Sequence, residues 1–110
     1  MKTLARCCIL MAACGLLGGK ALAHKVNLFA YVESGTVYTE SYFPDGRPVG
    51  GGKVTVFDSR DRLLLEGETD KEGMFDFPVP GVDDLTIVLD ATMGHKTSFK
   101  LTKDEVEAGQ

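Results

Sequence analysis

The chain has 110 residues, 44% of them hydrophobic, and a formal net charge of −4, which fits one small domain with a single core. An acidic balance without basic clusters argues against nucleic acid or an anionic lipid surface as partner, and is compatible with cationic ligands. All three cysteines (Cys7, Cys8 and Cys14) sit near the start, so no disulfide framework is expected in whatever follows.

The first residues read as an export leader. Lys2 and Arg6 form a short positive region, Cys7 to Leu17 an apolar stretch, and Ala21-Leu22-Ala23 a small-residue cleavage triplet. The apolar stretch is shorter than the roughly 20 residues a spanning helix needs, which disfavours an uncleaved anchor. Ala12-Ala13-Cys14-Gly15 resembles a lipoprotein cleavage box, but Met11 stands where a branched aliphatic is usual and the sequence after Cys14 stays apolar. Cleavage after Ala23 is the expectation. It leaves 87 of the 110 residues and removes Lys2, Arg6 and Lys20 with no acidic residue, taking the charge from −4 to −7.

From Val26 onward apolar and polar residues alternate with period two, and turn signals recur about every 8–12 residues. The first expected strand is Val26 to Glu33, with Val26, Leu28, Ala30 and Val32 on one face, followed by a Ser34-Gly35 turn. The second is Thr36 to Phe43, ended by Pro44-Asp45-Gly46-Arg47-Pro48. Gly50-Gly51-Gly52 reads as slack in the connection to a third strand, Lys53 to Asp58, with Val54 and Val56 inward. Leu63 to Glu68 and Met74 to Phe77 flank the turn Thr69 to Gly73. Leu85 to Ala91 carries Leu85, Ile87, Leu89 and Ala91 inward. After the loop Thr92-Met93-Gly94-His95, Lys96 to Leu101 is the last strand. Residues 103–110 form a polar C-terminal tail, either a short helical turn or disordered. The domain division is therefore 1–23 leader, 24–102 sandwich and 103–110 tail. Seven short strands without a convincing helix predict an all-β, seven-stranded antiparallel Greek-key β-sandwich of immunoglobulin-like or transthyretin-like type.

Two stretches carry a fold-level likeness. Thr69-Asp70-Lys71-Glu72-Gly73-Met74-Phe75-Asp76-Phe77 resembles the T-D-x-x-G-x-F-x-F turn of carboxypeptidase regulatory-like, transthyretin-like sandwiches. Ser41 to Pro48 followed by Lys53-Val54-Thr55-Val56 resembles the loop and strand that precede that turn. Ala23-His24-Lys25-Val26-Asn27-Leu28-Phe29-Ala30, combined with Asp84-Leu85-Thr86-Ile87-Val88 and Met93-Gly94-His95, is more specific. That combination resembles the small extracytoplasmic accessory component (NikL-type) of energy-coupling-factor-type nickel and cobalt transporters. The resemblance implies a periplasmic sandwich that assists delivery of Ni²⁺ or Co²⁺ to a membrane permease. Members often continue into a C-terminal membrane segment, whereas the sequence through Gln110 stays polar, so a soluble or truncated version is expected.

Only His24 and His95 are histidines. A free N-terminal His24 would offer its amine and ring Nδ1 as a six-membered chelate. Unperturbed pKa values of about 7.7–8.0 and 6.5 make both protons easy to displace near neutral pH. Deprotonation of the Lys25 amide would add a third nitrogen, a set that suits Ni(II) or Cu(II). If every consecutive strand reverses, His24 shares one end of the sandwich with Asp45, Asp70, Glu72, Met93 and His95. His24 with His95 would then make a three-nitrogen set, completed by Met93 or a carboxylate. His95 stands equally as a ligand or as a loop histidine ordering its own turn, while Asp45 and Asp70 are what such turns select anyway.

No cysteine nucleophile, serine motif, phosphate loop or H-E-x-x-H motif occurs, so a catalytic role is not expected. Copper handling by the same N-terminal histidine, or a structural interaction module without metal, are the alternative functions. Phe29, Tyr31, Tyr38 and Tyr42 fall on the parity opposite to the inward face of the first two strands. Burial in a second layer is the first expectation for them. If exposed, they would be a docking surface, plausibly for the permease.

Overall fold

The computed structural model describes residues 25–92 and 94–110. The leader, the Ala23–His24 junction and Met93 lie outside the described residues. Seven strands form two antiparallel sheets: β1 (Asn27–Glu33), β2 (Thr36–Tyr42), β3 (Lys53–Phe57), β4 (Leu63–Glu68), β5 (Met74–Pro78), β6 (Leu85–Thr92) and β7 (His95–Leu101). One sheet has the order β1-β2-β5 and the other β4-β3-β6-β7. The chain therefore changes sheet after β2, after β4 and after β5. The all-β sandwich expected from the period-two pattern is the fold observed, with strand limits that differ by one residue or none.

The inward parity is also as read. Val37, Val54, Val56, Leu85, Ile87 and Leu89 are fully buried between the sheets, joined by Val26, Leu28, Ala30 and Phe77. Burying aliphatic side chains of this size contributes about 1.5–3 kcal/mol each. Ser34 and Gly35 both take positive φ (50° and 76°), the two-residue turn whose twist suits a tight hairpin, and Glu33 pairs with Thr36 across it.

One expectation is corrected. The Gly50-Gly51-Gly52 run is not slack: it is laced to Thr69. The Gly51 amide donates to the Thr69 carbonyl (3.0 Å), the Thr69 amide to the Gly52 carbonyl (2.9 Å), and the Gly52 amide to the Thr69 hydroxyl (2.8 Å). A Cβ on Gly52 would stand 2.8 Å from the Leu89 Cδ1, so the glycine is selected by close packing rather than by flexibility. Of the two alternatives for residues 103–110, the short helical turn is the one observed, since Lys103–Ala108 forms a helix, α1. Thr102 is its N-cap, its hydroxyl accepting from the Glu105 amide while the Glu105 carboxylate accepts from the Thr102 amide. Val106 is fully buried, the Lys103 amide donates to the Asp84 carboxylate (2.7 Å), and the Gly35 amide donates to the Gly109 carbonyl (3.0 Å).

Candidate functional site

The registers decide which loops meet. Asn27 pairs with Tyr42, Glu40 with Met74, Lys53 with both Glu68 and Asp90, and Asp90 with Lys96. The start of β1, the β2–β3 loop, the β4–β5 turn and the β6–β7 loop consequently share one end of the sandwich. The parity argument from sequence therefore holds for the described strands. Asp84 lies at the opposite end, where Leu85 pairs with Leu101.

The β4–β5 turn is built by Asp70, whose carboxylate Oδ1 accepts from the Glu72 and Met74 amides (2.9 and 3.0 Å). Gly73 has φ of +76°, and a Cβ there would collide with the Ser41 carbonyl oxygen. Ser41 reciprocates by donating both its amide and its hydroxyl to the Gly73 carbonyl, each at 2.9 Å. This pins the turn onto the end of β2. Thr69 completes the brace by donating its hydroxyl to the Val49 carbonyl at 2.6 Å.

In the β2–β3 loop Asp45 is committed to Arg47, accepting from its Nε (2.7 Å) and its amide (3.0 Å). The Arg47 amide first, and its side chain second, hold the Asp45 carboxyl below its ordinary range. The Arg47 guanidinium lies over the Phe43 ring at 5.1 Å, and the His95 imidazole meets the same ring edge-on at 5.9 Å. His95 is half-buried at the first position of β7, opposite Thr92. Thr92 has φ of +97°, beside an irregular pairing after Asp90. A β-branched residue held there costs on the order of 1–3 kcal/mol, and such strain concentrates near sites of function.

Of the residues expected to hold a metal, His24 and Met93 lie outside the described residues. His95 is supported by Phe43, whereas Asp45 already binds Arg47 and Asp70 already orders its own turn. Glu72 is exposed in that turn. Among the described residues no three His, Cys, Asp or Glu side chains converge as a ligand set. A site here would need His24 to join His95. The Arg47–Phe43–His95 stack is not readable from sequence; only the aromatic position of Phe43 beside the proline break hinted at it.

The second candidate surface is the outer face of the β1-β2-β5 sheet. Three of its four aromatic residues are exposed rather than buried in another layer: Phe29 is 55% and Tyr31 48% accessible, Tyr38 is also exposed, and Tyr42 is half-buried. The first expectation for this face is thus overturned, because the domain has only two layers and nothing described covers this side. Tyr31 and Tyr38 stack across the strands at 5.4 Å, and Phe29 lies 6.5 Å from Tyr42 and 6.4 Å from Phe99. A shallow groove of about 270 Å³ runs between Tyr31, Tyr38, Glu40, Met74 and Asp76.

A relative occurs in Haemophilus influenzae. It is an uncharacterized protein 33% identical over 101 residues, an alignment covering 89% of this chain and 62% of the relative. The chain thus spans less than two thirds of that relative's length. No family model and no solved structure matches. No helix among the described residues is long and apolar enough to cross a membrane.

Proposed function

We propose that this protein is an exported, periplasmic accessory factor that binds Ni²⁺ or Co²⁺ and hands it to a membrane permease. The ion is cargo, held by the N-terminal amine and imidazole of a processed His24 together with His95. The observation that carries the reading is the antiparallel register, which brings the start of β1 and the β6–β7 loop to one end. Lys25, the residue after His24, is the first described residue at that end, and His95 is held against Phe43 there. The export reading rests on the Ala21-Leu22-Ala23 triplet, and the choice of nickel or cobalt rests on the family resemblance of the sequence.

The test is a titration of protein beginning at His24 with Ni²⁺, Co²⁺ and Cu²⁺, beside a form carrying one extra residue ahead of His24. The extension blocks the amine chelate and is expected to weaken binding at least about tenfold, the loss that even outer-shell partners of a metal produce. Equal affinity in the two forms sinks the amine-plus-imidazole site. His95→Ala is expected to weaken binding similarly, with the melting temperature without metal serving as the structural control. Copper is included because it binds tightest to most nitrogen sites, so only the ratio of Ni²⁺ to Co²⁺ affinity bears on the cargo.

A second reading, a metal-free interaction module, is favoured by the exposed aromatic face of the three-stranded sheet. It predicts no rise in melting temperature with any of the three ions, whereas a cargo bound only by the folded state must raise it.

A further inference from the structure

The two outer faces of the sandwich differ in kind. On the β4-β3-β6-β7 sheet the outward rows pair Glu68, Lys53, Asp90 and Lys96, then Glu66, Thr55, Val88 and Ser98, then the exposed Leu63 with Phe57, Thr86 and Lys100. Three carboxylates (Glu66, Glu68 and Asp90) are balanced there by three lysines (Lys53, Lys96 and Lys100). The β1-β2-β5 sheet has no such balance, since its strands contain no lysine or arginine at all. Its two central outward rows are Phe29, Glu40 and Met74, then Tyr31, Tyr38 and Asp76. Rings and carboxylates therefore stand side by side across the sheet, with Glu33 and Tyr42 at the flanking positions.

Aromatic residues and methionine are what protein interfaces enrich, and an exposed cluster of them on a small domain marks a contact surface. The unbalanced carboxylates say what comes to it. Guanidinium and ammonium groups are the one common chemistry that both halves of the pattern attract: the ring faces through cation–π contact, and Glu40 and Asp76 through charge-assisted hydrogen bonds. The groove between Tyr31, Tyr38, Glu40, Met74 and Asp76, of about 270 Å³, has the volume to take a side chain. A second copy of this chain is a poor occupant, because it would bring an equally acidic face against this one. We propose that the outer face of the β1-β2-β5 sheet is a docking surface for an arginine- or lysine-bearing protein segment. The proposal stands whether or not the loop end handles a metal.

The test maps amide shifts of isotope-labelled protein on addition of a short synthetic peptide of alternating arginine and valine. Its glutamate-for-arginine counterpart and a cello-oligosaccharide serve as comparison probes. The expected result is shifts confined to residues 27–42 and 74–78 with the arginine peptide alone, weakening as NaCl rises from about 50 to about 300 mM. Glu40→Gln combined with Asp76→Asn is expected to lower affinity about tenfold, the sum of two exposed charge contacts. Glutamine still accepts the Tyr42 hydroxyl that Glu40 accepts at 3.1 Å, so the fold is kept and the charge is what changes. Tyr31→Ser with Tyr38→Ser is expected to lower affinity by itself, at an unchanged circular dichroism spectrum. Unchanged affinity in the charge variant overturns the proposal. So do shifts on the Lys53, Lys96 and Lys100 face, binding of the oligosaccharide to the same amides in place of the peptide, or concentration-dependent dimerisation through this face.

Discussion

Replacing Thr69 with valine removes one hydroxyl and leaves the shape of the side chain nearly intact. That hydroxyl donates to the Val49 carbonyl at 2.6 Å and accepts from the Gly52 amide at 2.8 Å, and all three residues are buried. Each buried backbone group deprived of its partner costs about 1–3 kcal/mol, so the two together cost roughly 2–6 kcal/mol. The added methyl offsets about 1 kcal/mol through burial, which leaves a net loss of about 3 kcal/mol. For a domain of this size that corresponds to a fall in melting temperature of roughly 12–24 °C at about 4–8 °C per kcal/mol. Thr39→Val is the internal comparison, since the Thr39 hydroxyl makes a single bond, to the Phe75 carbonyl at 2.6 Å, and its removal is expected to cost about 1 kcal/mol. Calorimetry and urea unfolding of both variants at neutral pH read the difference. A Thr69→Val protein within about 0.5 kcal/mol of the parent would refute the claim that this hydroxyl braces the glycine run.

Gly73→Ala forces a Cβ into the Ser41 carbonyl at positive φ and is expected to destabilise by more than about 2 kcal/mol. Gly46→Ala, at φ +91° with nothing within 4 Å, carries only the conformational penalty of about 1 kcal/mol; urea midpoints separate the two. The acid limb of stability tracks Asp45, Asp58 and Asp83, all held below their ordinary pKa. The first-named causes are the Arg47 amide for Asp45, the Arg62 amide for Asp58 and the Ser59 hydroxyl for Asp83. Their contribution is fully present above the unfolded carboxyl value of about 3.9 and is lost as pH falls below it through the folded values. Urea midpoints between pH 6 and 2 are therefore expected to fall less steeply in Asp58→Asn than in the parent, and an equal slope would exclude Asp58 from the acid limb.

Strand positions and the inward face were legible because each strand carries its own period-two alternation and each turn its own glycine, proline or aspartate. Leu85, Ile87 and Leu89 announce a buried face without reference to any partner. The order of the strands was not legible, since alternation specifies a face and not a neighbour. Helix α1 was readable in principle: Thr102, three residues before Glu105, is a capping box, and Val106 is the one large apolar residue after it. Its brevity and charge left disorder open as the alternative to a short helical turn. Gly50-Gly51-Gly52 misled for a different reason, because flexibility and close packing select the same residue, and only the position of Leu89 distinguishes them. Of the loop end, the sequence yields the shared end through strand parity. It does not yield the pairing of Asp45 with Arg47, which takes that carboxylate away from any ligand set, or the Phe43 ring that supports His95. The aromatic face was visible as a pattern, but its exposure depends on the number of layers, which no single strand encodes.

The docking of α1 against β1 has a consequence for how the chain acquires its structure. The Gly35 amide at the first hairpin donates to the Gly109 carbonyl, and Val32 lies where a Cβ on Gly109 would fall. The first hairpin is thus completed by a residue 74 positions further along the chain (109 − 35). Contacts so far apart in sequence form late and slowly, so the end of β1 stays open until α1 docks on it.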